Sequence, residues 1–89
     1  MTSHKAQQIR QFILNSYLFG DADRMPADDD SLMRSGVLDS TGVLELIEFL
    51  EAEFEISVEE SETVPANLDS ISGLVAYVTT KQSQDVGVA

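Results

Sequence analysis

Apolar positions recur along this chain in three blocks at helical spacing. In the first, Ile9, Phe12, Ile13 and Tyr17 fall at i, i+3, i+4 and i+8, and Leu14 and Leu18 widen the stripe. That spacing predicts an amphipathic helix over 2–18, with Ser3 placed to cap its start and Gly20 to end it. In the second, Val43, Leu46, Ile47, Leu50 and Phe54 share one side of a helix from Ser40 to Phe54. Each of these side chains contributes about 1.5–3 kcal/mol if fully buried. Asp39 is the natural N-cap, and its carboxylate also suits the positive end of the helix dipole. In the third, Ile71, Leu74, Val75 and Val78 mark a helix over 70–81, with Lys81 at its negative end. Residues 82–89 offer little to bury and are expected to fray.

The connections are less regular. Residues 21–35 contain Pro26 and the run Asp28-Asp29-Asp30, a long link that needs a function or apolar pins. Leu32 and Met33 are the expected pins, in a short turn capped by Asp30. Further on, Ile56 and Val58 alternate with Ser57 as a strand would, but one short strand has nothing to pair with. An extended link with apolar anchors is expected there, then a short irregular helical segment within 59–68. Pro65 fits that segment only in a first turn. The fold expected is all-α: a small bundle of three main helices and one short one.

Composition narrows the chemistry. A chain of 89 residues, 43% of them hydrophobic, has enough for one small domain with a real core. There is no cysteine, hence no disulfide framework, thiolate metal site or thiol nucleophile. The one histidine, His4, lies near a terminus, which argues against a Ser-His-Asp hydrolase. No apolar run approaches the roughly 20 residues of a membrane span, and residues 1–13 lack the apolar stretch of a signal peptide. A cytoplasmic protein is expected. Asp21 and Asp23 have the first spacing of a calcium loop, but Met25 and Pro26 stand where an acidic ligand and a glycine are needed. No metal site is expected.

Charge adds a direction. The net charge of −11 comes from 16 acidic against 5 basic residues, and no Lys or Arg lies between Arg34 and Lys81. Such a surface repels nucleic acid and anionic membranes and steers basic protein partners towards it. The plainer alternative is a solvated, solubilising face. Glu45, Glu48 and Glu51 share one side of the second helix, with Leu44 close to its N-terminal end.

Asp-Ser occurs twice, as Asp39-Ser40 and Asp69-Ser70, each before a periodic helix, and N-capping alone explains either. The first differs in its setting, because a loop containing Gly36, a residue that allows tight approach, leads straight into the acidic helix. Gly42 in that helix's first turn costs about 1 kcal/mol relative to alanine, which suggests room for close approach by a partner.

The pattern Leu32-x-x-x-Gly36-x-x-Asp39-Ser40, then Val43-x-Glu45-Leu46-Ile47-x-x-Leu50-Glu51-x-x-Phe54, resembles the acyl and peptidyl carrier proteins. Glu55-Ile56-Ser57-Val58 and Ile71-x-x-Leu74-x-x-Tyr77-Val78 extend the resemblance over about residues 8–81, as in a free-standing carrier. The resemblance implies a protein that is not itself an enzyme. Ser40 would receive 4′-phosphopantetheine from coenzyme A through a separate phosphopantetheinyl transferase, and Asp39 would help hold that enzyme's magnesium. The arm's thiol would carry acyl or aminoacyl groups as thioesters. Thr41, Leu44, Glu45, Glu48 and Glu51 would then meet basic patches on a ligase and on later biosynthetic enzymes, the carrier itself being a monomer. Cargo sequestered in the core would lie near Leu46, Ile47 and Ile71. Thr41 stands where the family commonly has leucine, and Glu48 where many fatty-acid carriers are apolar. With the segment 64–71, these departures suggest carriers that work with stand-alone ligases in specialised pathways. The rival reading is an acidic helical interaction module in which Ser40 only caps a helix.

Overall fold

The computed structural model describes residues 4–86, and side chains through residue 83. Four α-helices make up the fold: α1 (His4–Tyr17), α2 (Ser40–Phe54), α3 (Pro65–Leu68) and α4 (Ile71–Val86). Single 3-10 turns lie at Ala22–Arg24 and Glu60–Glu62. No strand occurs among the described residues, and no helix among them is long and apolar enough to cross a membrane. The expected cap Ser3 lies outside them.

Side-chain contacts set the helix directions. Tyr17, at the end of α1, bonds to Gly42 at the start of α2, while Gln8 bonds to Glu53 near the end of α2. These two helices are therefore antiparallel. Gln82 in α4 donates to the Phe54 carbonyl, so α4 ends where α2 ends. The end of α1, the loop 21–39 and the starts of α2 and α4 thus gather at one end of the bundle. Ser40 is at that end.

All three apolar stripes face the core. Ile9, Ile13, Leu46, Leu50, Ile71, Leu74 and Val78 are fully buried. Phe12, Tyr17, Val43, Ile47 and Val75 are partly buried against them. Phe49, outside the expected stripe, stacks on Phe12 with ring centroids 4.1 Å apart and 10° between planes. Such a pair adds about 0.5–1.5 kcal/mol beyond area burial, and it closes the α1–α2 seam.

Several local expectations change. Leu32 pins its loop at 1% exposure, but Met33 is 48% exposed, because the turn at 32–36 points the two in different directions. Asp30 does not cap that turn. Its carboxylate accepts from the Ala27 amide, and Ser31 Oγ accepts from the Arg34 amide instead. Gly20 follows α1 as expected and its amide reaches back to the Leu14 carbonyl, yet the left-handed turn already begins at Phe19 (φ 53°). Ile56 is buried and Val58 half-buried, an extended link with anchors. Pro65 opens α3, the first-turn position that tolerates it.

The last helix runs past its expected end at Lys81 to Val86. Lys81 is consequently an interior residue of the helix, and a side-chain network accounts for it better than the dipole does. Glu62 Oε1 accepts from the Lys81 ammonium (3.0 Å), the Tyr77 hydroxyl (2.9 Å) and the Glu59 amide (3.0 Å). The Glu59 amide first, then Lys81 and Tyr77, hold the Glu62 carboxyl below its ordinary range. Burial, together with the Glu62 carboxylate, pushes the Tyr77 phenol up, so it remains a donor. This network ties the link after α2 onto α4.

Candidate functional site

Asp39 has extended backbone (φ −118°, ψ 179°), and its Oδ1 accepts from the Gly42 amide at 2.6 Å. Its carbonyl accepts from the Val43 amide. Asp39 is thus the N-cap, as expected. Ser40 is not the cap: it is exposed, and its hydroxyl makes no hydrogen bond to any described residue. The amides of Ser40 and Thr41 have no carbonyl one turn earlier in the helix to bond. A free hydroxyl therefore stands beside open N–H groups at the positive end of a fifteen-residue helix, a setting that favours an attached anionic group.

Gly42 is buried and closely packed from within the molecule. A Cβ there would lie 3.2 Å from Tyr17 Cε1, from Leu38 Cδ1 and from Asp39 Oδ1. The Tyr17 hydroxyl also donates to the Gly42 carbonyl at 2.7 Å. Burial, then the negative charges of Glu45 and Asp39, push the Tyr17 phenol up to about 12. It therefore stays protonated, and a donor, throughout the neutral range. Tyr17→Phe keeps the ring packing and removes this one bond, a loss of about 1 kcal/mol. The expected result is a melting midpoint lower by about 4–8 °C and faster amide exchange in the first turn of α2. Unchanged exchange there would show that Tyr17 does not hold the turn.

The two Asp-Ser pairs divide their work differently. In the second, Ser70 is the cap, accepting from the Gly73 amide at 3.0 Å. Asp69 turns away to the loop that precedes Ser40. Its Oδ1 accepts from the Met33 amide (2.8 Å), its Oδ2 from the Ser31 hydroxyl, and its carbonyl from the Leu32 amide (2.7 Å). Leu32 in turn accepts both the Val37 and Leu38 amides on its carbonyl. Gly36 has open space around it and is required instead by its φ of 81°. The whole approach to Ser40 is thereby fastened to the α3–α4 junction.

The acidic run is similarly used within the fold. Asp28 pairs with Arg10, Asp29 accepts from the Ser72 hydroxyl at 2.6 Å, and Asp30 holds its own turn. Arg10 holds the Asp28 carboxyl below its ordinary range. Among the described residues no three or more His, Asp or Glu side chains form a group suited to a metal ion.

Along α2, Thr41, Leu44, Glu45 and Glu48 are all exposed, Leu44 by 63%. Glu51 differs from them: it is half-buried, and its Oε2 accepts from the Val58 amide at 3.0 Å. It braces the link after α2, so the open acidic face is shorter than its sequence period suggested.

Beside Ser40 lies an open cleft of about 340 Å³ between the loop, α2 and α3. Met33, Leu38, Val43, Val64, Pro65 and Leu68 form its apolar wall, and Arg34 is the basic residue on its lining. Leu46, Ile47 and Ile71 do not line this cleft; Leu46 and Ile71 are fully buried in the core. Sequence periodicity could not find the cleft, because its wall joins a loop, α2 and α3, which come together only in the tertiary fold. No family model matches this chain, and no curated protein matches it in sequence.

Proposed function

We propose that this chain is a carrier protein that takes a 4′-phosphopantetheine arm on Ser40 and holds acyl or aminoacyl groups on it for biosynthetic enzymes. One observation carries the reading most: Ser40 is exposed at the first position of α2 with no hydrogen bond to a described residue, while Asp39 does the capping. A serine retained only as a cap would accept that amide itself. The Leu32-x-x-x-Gly36-x-x-Asp39-Ser40 motif supports the same reading.

In the transfer, Ser40 Oγ forms a bond to the β-phosphorus of coenzyme A. The pyrophosphate P–O bond breaks, 3′,5′-adenosine bisphosphate leaves, and the hydroxyl proton passes to a base of the transferase. Asp39 uses only Oδ1 in capping, which leaves Oδ2 for that enzyme's magnesium. The open amides at the start of α2 would hold the phosphodiester. When bound, the arm supplies the thiol that a cysteine-free chain lacks. This chain serves as the tether and the docking surface, and the chemistry belongs to its partners. Those partners are the transferase, an adenylating ligase and later enzymes with basic patches. Thr41 and Glu48 favour a specialised pathway over primary fatty-acid synthesis.

Intact mass after incubation with coenzyme A and a broad-range phosphopantetheinyl transferase tests the reading. A gain of one phosphopantetheine is expected, and an unchanged mass would refute it. The docking face has its own test. Glu45→Lys with Glu48→Lys is expected to slow modification at low salt by about tenfold, with helical content preserved because both residues are exposed. Equal rates at low salt would remove this face from the encounter.

A further inference from the structure

We infer that the cleft beside Ser40 is a subsite for a short acyl cargo whose far end carries a carboxylate, read by Arg34. The inference rests on the carrier reading and gives that reading a cargo class.

Most side-chain donors lining the cleft are already engaged within the fold. Of its polar lining residues, Ser31 donates to Asp69 and accepts from the Arg34 amide. Asp69 has both carboxylate oxygens occupied, by Ser31 and by Met33. The Thr63 hydroxyl donates to the Glu60 carbonyl at 2.6 Å. Among the side-chain donors of the lining only the Arg34 guanidinium is unspent, with no ion pair and no hydrogen bond among the described residues. Arg10 and Lys81 are each paired elsewhere in the fold, while Arg34 is the one basic residue on the lining of the cleft.

Met33, Leu38, Val43, Val64, Pro65 and Leu68 offer an alkyl stem an apolar wall, and Arg34 offers its far end a fork of N–H donors. A carboxylate fits that fork in bidentate fashion. A plain alkyl chain leaves Arg34 unused, and a free ammonium is repelled by it. The volume of about 340 Å³ is at the small end of ligand sites, about 300–1,000 Å³, which suits a few carbons and not a long fatty chain. Leu38 and Val43 stand two residues before and three after Ser40. A tether on Ser40 therefore has to fold back along the flank of its own attachment point to fill the cleft.

The test loads Ser40 with glutaryl or pentanoyl phosphopantetheine from the corresponding acyl coenzyme A, on wild type and on Arg34→Gln. Two readouts are taken: amide chemical shifts across 31–38 and 63–68, and the rate of thioester cleavage by hydroxylamine. Glutaryl cargo is expected to shift the Met33, Leu38 and Val64 amides in wild type and not in the variant. Its cleavage is expected to be about fivefold faster on Arg34→Gln, with pentanoyl cleavage the same on both. Comparing each cargo across the two proteins cancels the intrinsic lability of its thioester.

Equal glutaryl rates on both proteins with no shifts would place the cargo in solvent and overturn the subsite. Matching shifts from pentanoyl, insensitive to Arg34, would mean that the cleft reads only apolar surface. An Arg34-dependent shift from the bare arm would assign Arg34 to the arm's phosphate. Any of these leaves the carrier reading standing. Failure to load any arm overturns both.

Discussion

Ser40→Ala is expected to abolish the mass gain from coenzyme A completely while leaving the fold and melting midpoint almost unchanged. Both halves follow from the geometry. The Ser40 hydroxyl makes no hydrogen bond to a described residue, so its removal leaves no donor or acceptor stranded. The helix keeps its cap, because Asp39 Oδ1 still takes the Gly42 amide. Surface changes of this kind usually lie within about 0.5 kcal/mol of neutral. Ser70→Ala provides the contrast. Ser70 caps α4 through the Gly73 amide, and its loss is expected to cost about 1 kcal/mol with modification undiminished. The two serines thus separate a chemical role from a structural one within the same dipeptide. A mass gain that survives Ser40→Ala but not Ser70→Ala would reverse the assignment.

Asp69→Ala is the substitution expected to cost the most stability at the site. It strands the Ser31 hydroxyl and the Met33 amide, which are held by opposite oxygens of one carboxylate. Hydrogen bonds to a charged group contribute about 1.5–3 kcal/mol each when buried. Asp69 is only half-buried, so a combined loss of about 2–3 kcal/mol is expected. For a domain of this size that lowers the midpoint by on the order of 10 °C. Amide exchange should rise selectively across 32–38, and transfer to Ser40 should slow, since the approach to α2 is no longer fastened. Asp69→Asn keeps one acceptor for the Met33 amide and should fall between. If Asp69→Ala melted within a degree of wild type, the clamp would contribute nothing.

The helices and the site differ in how much of each could be read from sequence, and for a physical reason. Helix periodicity is local: Leu46, Leu50 and Phe54 recur on one face because one turn brings them there, whatever else the chain does. The cap at Asp39 is equally local, since its oxygen reaches an amide three residues on. Phe49 sits off the stripe and acquires its place only from Phe12 on another helix. Leu32 and Met33 are equally apolar neighbours, and only the turn between them decides which is buried. Glu51 has the period of Glu45 and Glu48, yet an amide seven residues away takes it out of the open face.

Local patterning is enough for an all-α chain, three long helices, the cap, and a serine at the head of an acidic helix. Each of these is settled within a turn or two of backbone. What holds that serine in place, and what lies beside it, depends on contacts between distant segments. Tyr17 meets Gly42 across 25 residues, and Asp69 meets Met33 and Ser31 across 36 and 38. The cleft draws its wall from three separate segments and leaves Arg34 without a partner on its lining. No local period encodes such pairs, because they exist only once the core has closed and brought distant loops to the same end of the bundle.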